Sequence, residues 1–327
     1  MKPNSNSDFS KELSAGIRKK AKEIGLDLIG FSSVQELNED RERLETWLDN
    51  GYNAGMSYME KNLEKRTNPS LLVENSRSVI IAGLNYYQPL KDDSSVPRFS
   101  KYALGKDYHS VLKDMLYDLL EYIKSKEPGV NARVFVDSAP VLEKSLAVNS
   151  GLGWYGKNTM LINKELGSYL FLGEIISSIG LDNDEPYKKD HCGSCTKCID
   201  ACPTGAILDG KIIDSNKCIS YLTIENRNEI PAVFRGKING NVFGCDICQD
   251  VCPWNTIAKE TMVDDFKPLP EIMSFSREQW ENITEDQFNS IFCDSPVQRA
   301  GYEGFKRNLS FLSRILGESS GEESPNS

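Results

Sequence analysis

Histidine is nearly absent from this 327-residue chain, which has only His109 and His191. Two imidazoles are too few for a histidine-based metal centre, and each reads better as a structural residue than as a ligand. Long apolar runs are lacking too. None approaches the roughly 18 residues of a membrane span, so no transmembrane helix is expected. The opening segment has neither the apolar core of a signal peptide nor a twin arginine, which argues against export and for a reducing, cytoplasmic setting. Positive charge is in deficit: 38 Lys and Arg against 48 Asp and Glu leave a net charge of −10. Such a surface does not attract nucleic acid as a whole, so an RNA partner would need a local basic patch. Residues 299–314 offer one, with Arg299, Lys306, Arg307 and Arg314 set against Glu303, although composition alone favours a plain solvated helix face there. No long heptad seam is visible, so a monomer is expected. The hydrophobic fraction of 39% is slightly low but far from the disordered range, and the length permits a large domain with a smaller one.

Cysteine is what the chain has in quantity. Without a secretory signal, nine cysteines argue for metal ligation rather than a disulfide framework. One motif runs Cys192-x2-Cys195-x2-Cys198-x3-Cys202-Pro203; a second runs Cys245-x2-Cys248-x3-Cys252-Pro253, with Cys218 between them. Tight loops of this spacing let several thiolates converge on a cuboidal cluster, and the cysteine before proline reaches across to the other cluster. On that logic Cys192, Cys195, Cys198 and Cys252 hold one [4Fe–4S] cluster, and Cys202, Cys218, Cys245 and Cys248 the other. Structural zinc also uses CxxC pairs, but it rarely needs a third cysteine at the same spacing or two Cys-Pro endings. Cys293 fits neither motif and is expected to be a buried thiol. Two clusters in series make an electron wire. Since they carry single electrons, the chemistry belongs to a second cofactor or a substrate held by the rest of the chain.

That rest reads as an α/β domain. Residues 9–24 pattern as an amphipathic helix, 26–31 and 79–87 as strands, and 132–138 as a short strand ending on a carboxylate. Val111, Leu112, Met115, Leu116, Leu119, Leu120 and Ile123 mark one face of a helix for which Asp107 is a plausible N-cap. A further apolar stretch, 168–181, precedes the cysteines; an acidic stretch, 259–295, follows them, and 317–327 reads as a disordered tail.

Gly151-x-Gly153-x-x-Gly156 is weak evidence for a dinucleotide site. A Rossmann fingerprint follows the first strand and opens a helix, whereas this run follows a helical pattern and leads into an extended one. NAD is therefore rejected; the glycines either admit a different flat ligand or shape a turn. Asp137 closes the apolar run Val134, Phe135, Val136. Partial desolvation there would raise its pKa and suit it to proton donation near neutrality, while capping a helix that begins near Pro140 explains it equally well.

These segments together resemble the epoxyqueuosine reductases, cobalamin-dependent enzymes of tRNA modification. The resemblance rests on Ser100-Lys101-Tyr102 through Asp107-Tyr108-His109, on Val136-Asp137-Ser138-x-Pro140-Val141-Leu142-Glu143-Lys144, and on Gly151 to Asn158. The cysteine blocks and residues 295–308 extend it to roughly residues 10–316. It implies a mixed α+β and α/β architecture: a nitroreductase-like cobalamin-binding domain over 1–185, a ferredoxin-like two-cluster domain over 186–258 and a short helical segment over 259–316. It also implies removal of the epoxide oxygen of epoxyqueuosine at the tRNA wobble position, with an external donor supplying electrons through the clusters to cobalt and Asp137 protonating the leaving oxygen. By position, Ser100, Tyr102, Asp107, Tyr108, Gly156, Asn158 and Leu161 would contact cobalamin, with Glu60, Ser220 and Asp246 as further candidates. Lys144, Lys157, Arg299 and Arg307 would meet tRNA phosphates. Many members carry further C-terminal helical repeats that this sequence lacks after residue 314, which leaves less surface for the tRNA body. The competing readings are a corrinoid reductase of a small organohalide and a plain electron carrier.

Overall fold

The computed structural model describes residues 5–90 and 95–318; from residue 319 on, the expected tail lies outside the described residues. Helix α1 (Ser5–Ile24) buries Leu13, Ile17 and Ala21, spaced four apart along one stripe. Strand β1 (Leu28–Ser33), helices α2 (Asn38–Asp49) and α3 (Leu63–Thr67), and strands β2 (Ser78–Asn85) and β3 (Arg98–Phe99) follow. Helix α4 (Tyr108–Lys126) begins at the expected cap, with the Asp107 side chain accepting from the His109 N–H. Its expected apolar face is buried except Met115, which packs at the margin. Next come β4 (Ala132–Phe135), α5 (Glu143–Asn149), the short hairpin β5 (Trp154–Tyr155) and β6 (Leu161–Ile162), and β7 (Leu170–Ser177).

The main sheet has the order β1-β2-β7-β4, and every pairing in it is antiparallel. Alternating helices and strands point to an α/β domain, and a mixed architecture is what forms, but its main sheet has no parallel pairing. Strand direction is set by long excursions between sheet neighbours, such as the one separating β2 from β7, and local periodicity is blind to these. Strands β2 and β7 are buried along their whole length, which is why they read as continuous apolar runs. Helices α1 and α4 cover one face through Ile17, Leu112, Leu116 and Ile175. On the other face Leu146 and Ala147 of α5 pack on Leu172 and Ile176. Truncating a fully buried side chain such as Leu116 to Ala would cost about 2–5 kcal/mol.

The cysteine region carries two one-turn helices, α6 (Lys197–Asp200) and α7 (Ile247–Asp250), and the strands β8 (Ile207–Leu208), β9 (Ile212–Ile213) and β10 (Asn241–Phe243). Helices α8 (Pro270–Ser274), α9 (Arg277–Glu281), α10 (Glu285–Ile291) and α11 (Gly301–Glu318) complete the chain. Capping boxes at Ser276/Gln279 and Thr284/Gln287 start α9 and α10.

Side-chain packing crosses the expected segment boundaries. Strand β3 pairs in parallel with β10, and Phe99 stacks among Trp280, Phe292 and Phe305, so residues 98–104 share a core with the C-terminal helices. Phe266 in turn inserts into the first core against Phe171. Among the described residues no helix is long and apolar enough to cross a membrane.

Candidate active site

The Cys192-x2-Cys195 loop closes on a backbone bond, Cys195 N–H to Cys192 O at 2.9 Å, and one-turn helices carry Cys198 and Cys248. This bending gathers the cysteines into the two expected quartets. Cys192, Cys195, Cys198 and Cys252 line one cavity of ≈ 190 Å³. Cys202, Cys218, Cys245 and Cys248 line a second of ≈ 330 Å³. Asn158 borders both cavities and so marks where they adjoin. Among the described residues no three His, Cys, Asp or Glu side chains close on a single ion. Thiolates that surround a volume suit a cuboidal cluster; a zinc tetrahedron would bring them to about 2.3 Å from one centre. Cys293, expected to be buried, is exposed instead, because it falls in the turn after α10, beyond the buried Phe292.

The larger cavity has apolar and aromatic walls, including Tyr86, Tyr102, Tyr108 and Phe171, with Ser100, Ser220 and Gln249 as polar points. Tyr108, the first residue of α4, lies between the Phe171 ring at 4.2 Å and the His109 ring at 4.1 Å. Its hydroxyl donates to Asp137 Oδ2 at 2.5 Å, and His109 Nε2 lies 3.8 Å from the same oxygen. Burial, then the charge of Asp137, pushes the Tyr108 phenol far up, so it remains a donor. Asp137 itself adopts a left-handed φ of +43° just past the end of β4. Its side chain is 62% exposed. The desolvation expected at the end of an apolar strand is therefore absent: the positive φ turns the carboxyl out of the core. Nor does Asp137 cap α5, because that helix starts at Glu143 and its N-cap residue is Leu142. Instead Glu143 reaches back, and its Oε1 accepts the Asp137 N–H at 2.6 Å. Burial and the nearby Asp137 push the Glu143 carboxyl up to about 8.

The same fold is found in solved structures, and the sequence has curated relatives. Residues 66–138 match the family described as epoxyqueuosine reductase QueG, DUF1730, and residues 191–255 match the 4Fe-4S double cluster binding domain. The epoxyqueuosine reductase of Cellulophaga algicola is 47% identical over 90% of this chain and 96% of its own length. The chain belongs to the epoxyqueuosine reductase family. Its eight motif cysteines accordingly lie within an iron–sulfur domain. An epoxyqueuosine reductase crystallised with an epoxyqueuosine-modified tRNA-Tyr stem loop superposes with a TM-score of 0.88 at 32% identity, covering 94% of this chain and 83% of that one. The Bacillus subtilis epoxyqueuosine reductase, described with its catalytic aspartate loop swung out of the active site, gives 0.86 at 31% identity over 96% and 87% of the two chains.

For this member of the epoxyqueuosine reductase family, the structure sorts the remaining expected residues. Ser100, Tyr102, Tyr108, Asn158 and Ser220 all line the larger cavity. Asp107 is outside its lining and is occupied with capping α4 and with His109 Nδ1 at 2.7 Å. Asp246 is buried behind Ser100, where it accepts from the Ser100 hydroxyl and from Lys101 N–H at 2.7 Å. Leu161 points into the core beneath α5, and Glu60 lies exposed with its carboxylate on Asn53 Nδ2 at 2.8 Å. Gly156 and its neighbours shape a turn. A Cβ on Gly153 would meet Ile162 O at 2.1 Å, so that glycine lets the β5–β6 hairpin close. Arg307 is spent internally: its guanidinium donates to Leu222 O, Asn226 O and Asn228 O, which makes it a strut rather than a phosphate contact. Arg299 pairs with Glu225 at 2.9 Å, while Lys144 and Lys157 donate to the carbonyls of Thr159 and Gly193. Two acidic residues near Asp137, Glu143 and Glu174, have no role legible in the sequence. A lone glutamate inside the apolar run of β7 was the available signal for the second.

Proposed function

We propose that this chain removes the epoxide oxygen of epoxyqueuosine in tRNA, giving queuosine and water with two electrons and two protons. The observation that carries this reading is spatial order: one cysteine quartet, then an adjoining larger cavity whose wall carries both the second quartet and Tyr108, with Asp137 hydrogen-bonded to that tyrosine. The apolar, aromatic walls fit a flat corrinoid, which Ser100, Tyr102, Tyr108, Asn158 and Ser220 would hold. Bound there, cobalamin would supply the two-electron reduction at carbon, fed one electron at a time by the clusters from an external donor. On this reading residues 1–185 bind the corrinoid, 186–258 form the ferredoxin-like module and 259–316 the helical buttress.

Asp137 donates the proton to the oxygen that leaves carbon. Its exposure suits this role, because the substrate is a nucleotide that must be unstacked and brought in from outside. Tyr108 fixes the carboxyl by donating to Oδ2 and keeps its own proton while doing so. The catalytic aspartate loop of the B. subtilis relative supports the role given to Asp137, and the relative bound to a modified stem loop supports tRNA as substrate. Lys144, Lys157 and Arg299 remain the candidates for phosphate contact.

The test is an anaerobic single-turnover assay with reconstituted clusters, cobalamin, a strong reductant and tRNA bearing epoxyqueuosine. Nucleosides are read by mass spectrometry. Loss of one oxygen mass that depends on cobalamin is expected. Full clusters and bound cobalamin with an unchanged base would sink the tRNA reading and turn attention to small-molecule acceptors.

A further inference from the structure

Asp137 holds an unusual backbone conformation with little to pack against. A positive φ in a non-glycine residue costs about 1–3 kcal/mol and persists only where the surroundings enforce it. With its side chain mostly exposed, apolar contact does not enforce it here. Two hydrogen bonds do: Tyr108 holds the carboxyl, and Glu143 Oε1 holds the N–H. Glu143 is also the first residue of α5, so its bond to Asp137 ties the start of the 136–142 loop to its end.

We propose that Glu143 is a positioning residue for the reduction, a latch that fixes the Asp137 loop with the acid held against Tyr108 of the larger cavity's wall. The inference rests on Asp137 being the proton donor. Four charged or titratable groups face Glu143: Asp137 from the loop, Lys144 on its own helix, Glu174 from β7 and Tyr108 from α4. Glu174 is fully buried directly opposite Phe135 of β4, and neither carboxyl oxygen has a hydrogen-bond partner among the described residues. Burial first, and then the carboxylates of Glu143 and Asp137, push the Glu174 carboxyl well above the usual carboxylate range. Burial, then the charge of Asp137, raises the Glu143 carboxyl to about 8. In its protonated form it accepts the Asp137 N–H through a carbonyl oxygen without adding a negative charge beside the acid. Ionisation of Glu143 at higher pH would add that charge and disfavour transfer of a proton from Asp137 only by electrostatics, leaving the latch bond in place.

The test pairs E143A with E143Q, whose amide oxygen can accept the same N–H. Hydrogen exchange over residues 136–142 is measured on the cluster-loaded protein without substrate, and kcat and KM with modified tRNA. E143A is expected to speed exchange in the loop by about tenfold, the worth of one hydrogen bond. It should lower kcat by about 30- to 100-fold, as misplacement of a reacting group does, with KM little changed. E143Q should restore both to within about fivefold. Exchange and kcat in E143A within twofold of wild type would overturn the proposal, as would an E143Q that fails as badly as E143A. Should E143A not fold, the pH profile of E143Q decides: the change in kcat above pH 8 seen in wild type should vanish, and identical profiles would overturn it. A wild-type protein that leaves the base unreduced would sink the parent reading, while the exchange arm still tests the latch.

Discussion

Replacing Asp137 with Asn isolates proton donation from every other role of this residue. The carboxyl is mostly exposed, so the change removes little packing. Asn is among the residues that tolerate a left-handed φ, whereas Ala at +43° would carry a strain of about 1–2 kcal/mol and blur the result. The amide oxygen of Asn can still accept from the Tyr108 hydroxyl, and the backbone N–H remains for Glu143. What disappears is the transferable proton. General acid catalysis is worth about 10²–10⁴-fold, or about 2.7–5.5 kcal/mol of barrier, so single-turnover kcat should fall by that factor. Tm should move by no more than a degree or two, and cluster absorbance and cobalamin binding should match wild type. A variant whose rate stays within threefold of wild type would refute the assignment, because no other change made by this substitution could mask so large a loss.

Other consequences are as direct. Tyr108→Phe removes the hydroxyl that holds Asp137, and kcat should fall by about tenfold or more, the worth of a hydrogen bond to a charged group, with cluster content unchanged. Cys192→Ser and Cys218→Ser lie in different quartets, so each should reduce iron from about eight to about four atoms per chain and leave the other cluster's spectrum intact. Asn308→Leu leaves the carbonyls of Thr223 and Val242 buried and unpaired and should cost about 3 kcal/mol in urea denaturation. For Glu143, the folded-state pKa of about 8 lies above the ordinary carboxylate value. The folded state then holds a proton that the unfolded state has released, so stability falls as pH rises from about 4.5 to about 8 and is level above that. The drop in Tm across that window should be smaller in Glu143→Gln, and an equal drop would contradict the assignment.

Cysteine spacing alone makes a division of the eight motif cysteines into two quartets legible. Short loops restrict which thiolates can meet, the Cys-Pro endings imply that Cys252 crosses to the first quartet, and the two cavities are lined by the cysteines in those groups. Helix α4, its buried face and its Asp107 cap were legible for the same reason, since periodicity and capping are local. The antiparallel sheet was not legible, because strand direction depends on long connections. The same limit applies to Leu161, Asp246 and Arg307: each sits in a motif that reads as functional, yet the fold turns one into the core, buries one behind Ser100 and spends one on backbone carbonyls. The surroundings of Asp137 were decided by tertiary structure alone. Tyr108 from α4, Glu143 from α5 and Glu174 from β7 meet there only because the sheet and its two covering layers bring distant segments together. Sequence can nominate an acid, but whether it is exposed, what holds it and which neighbours keep their protons depend on burial, and burial is a property of the packed molecule.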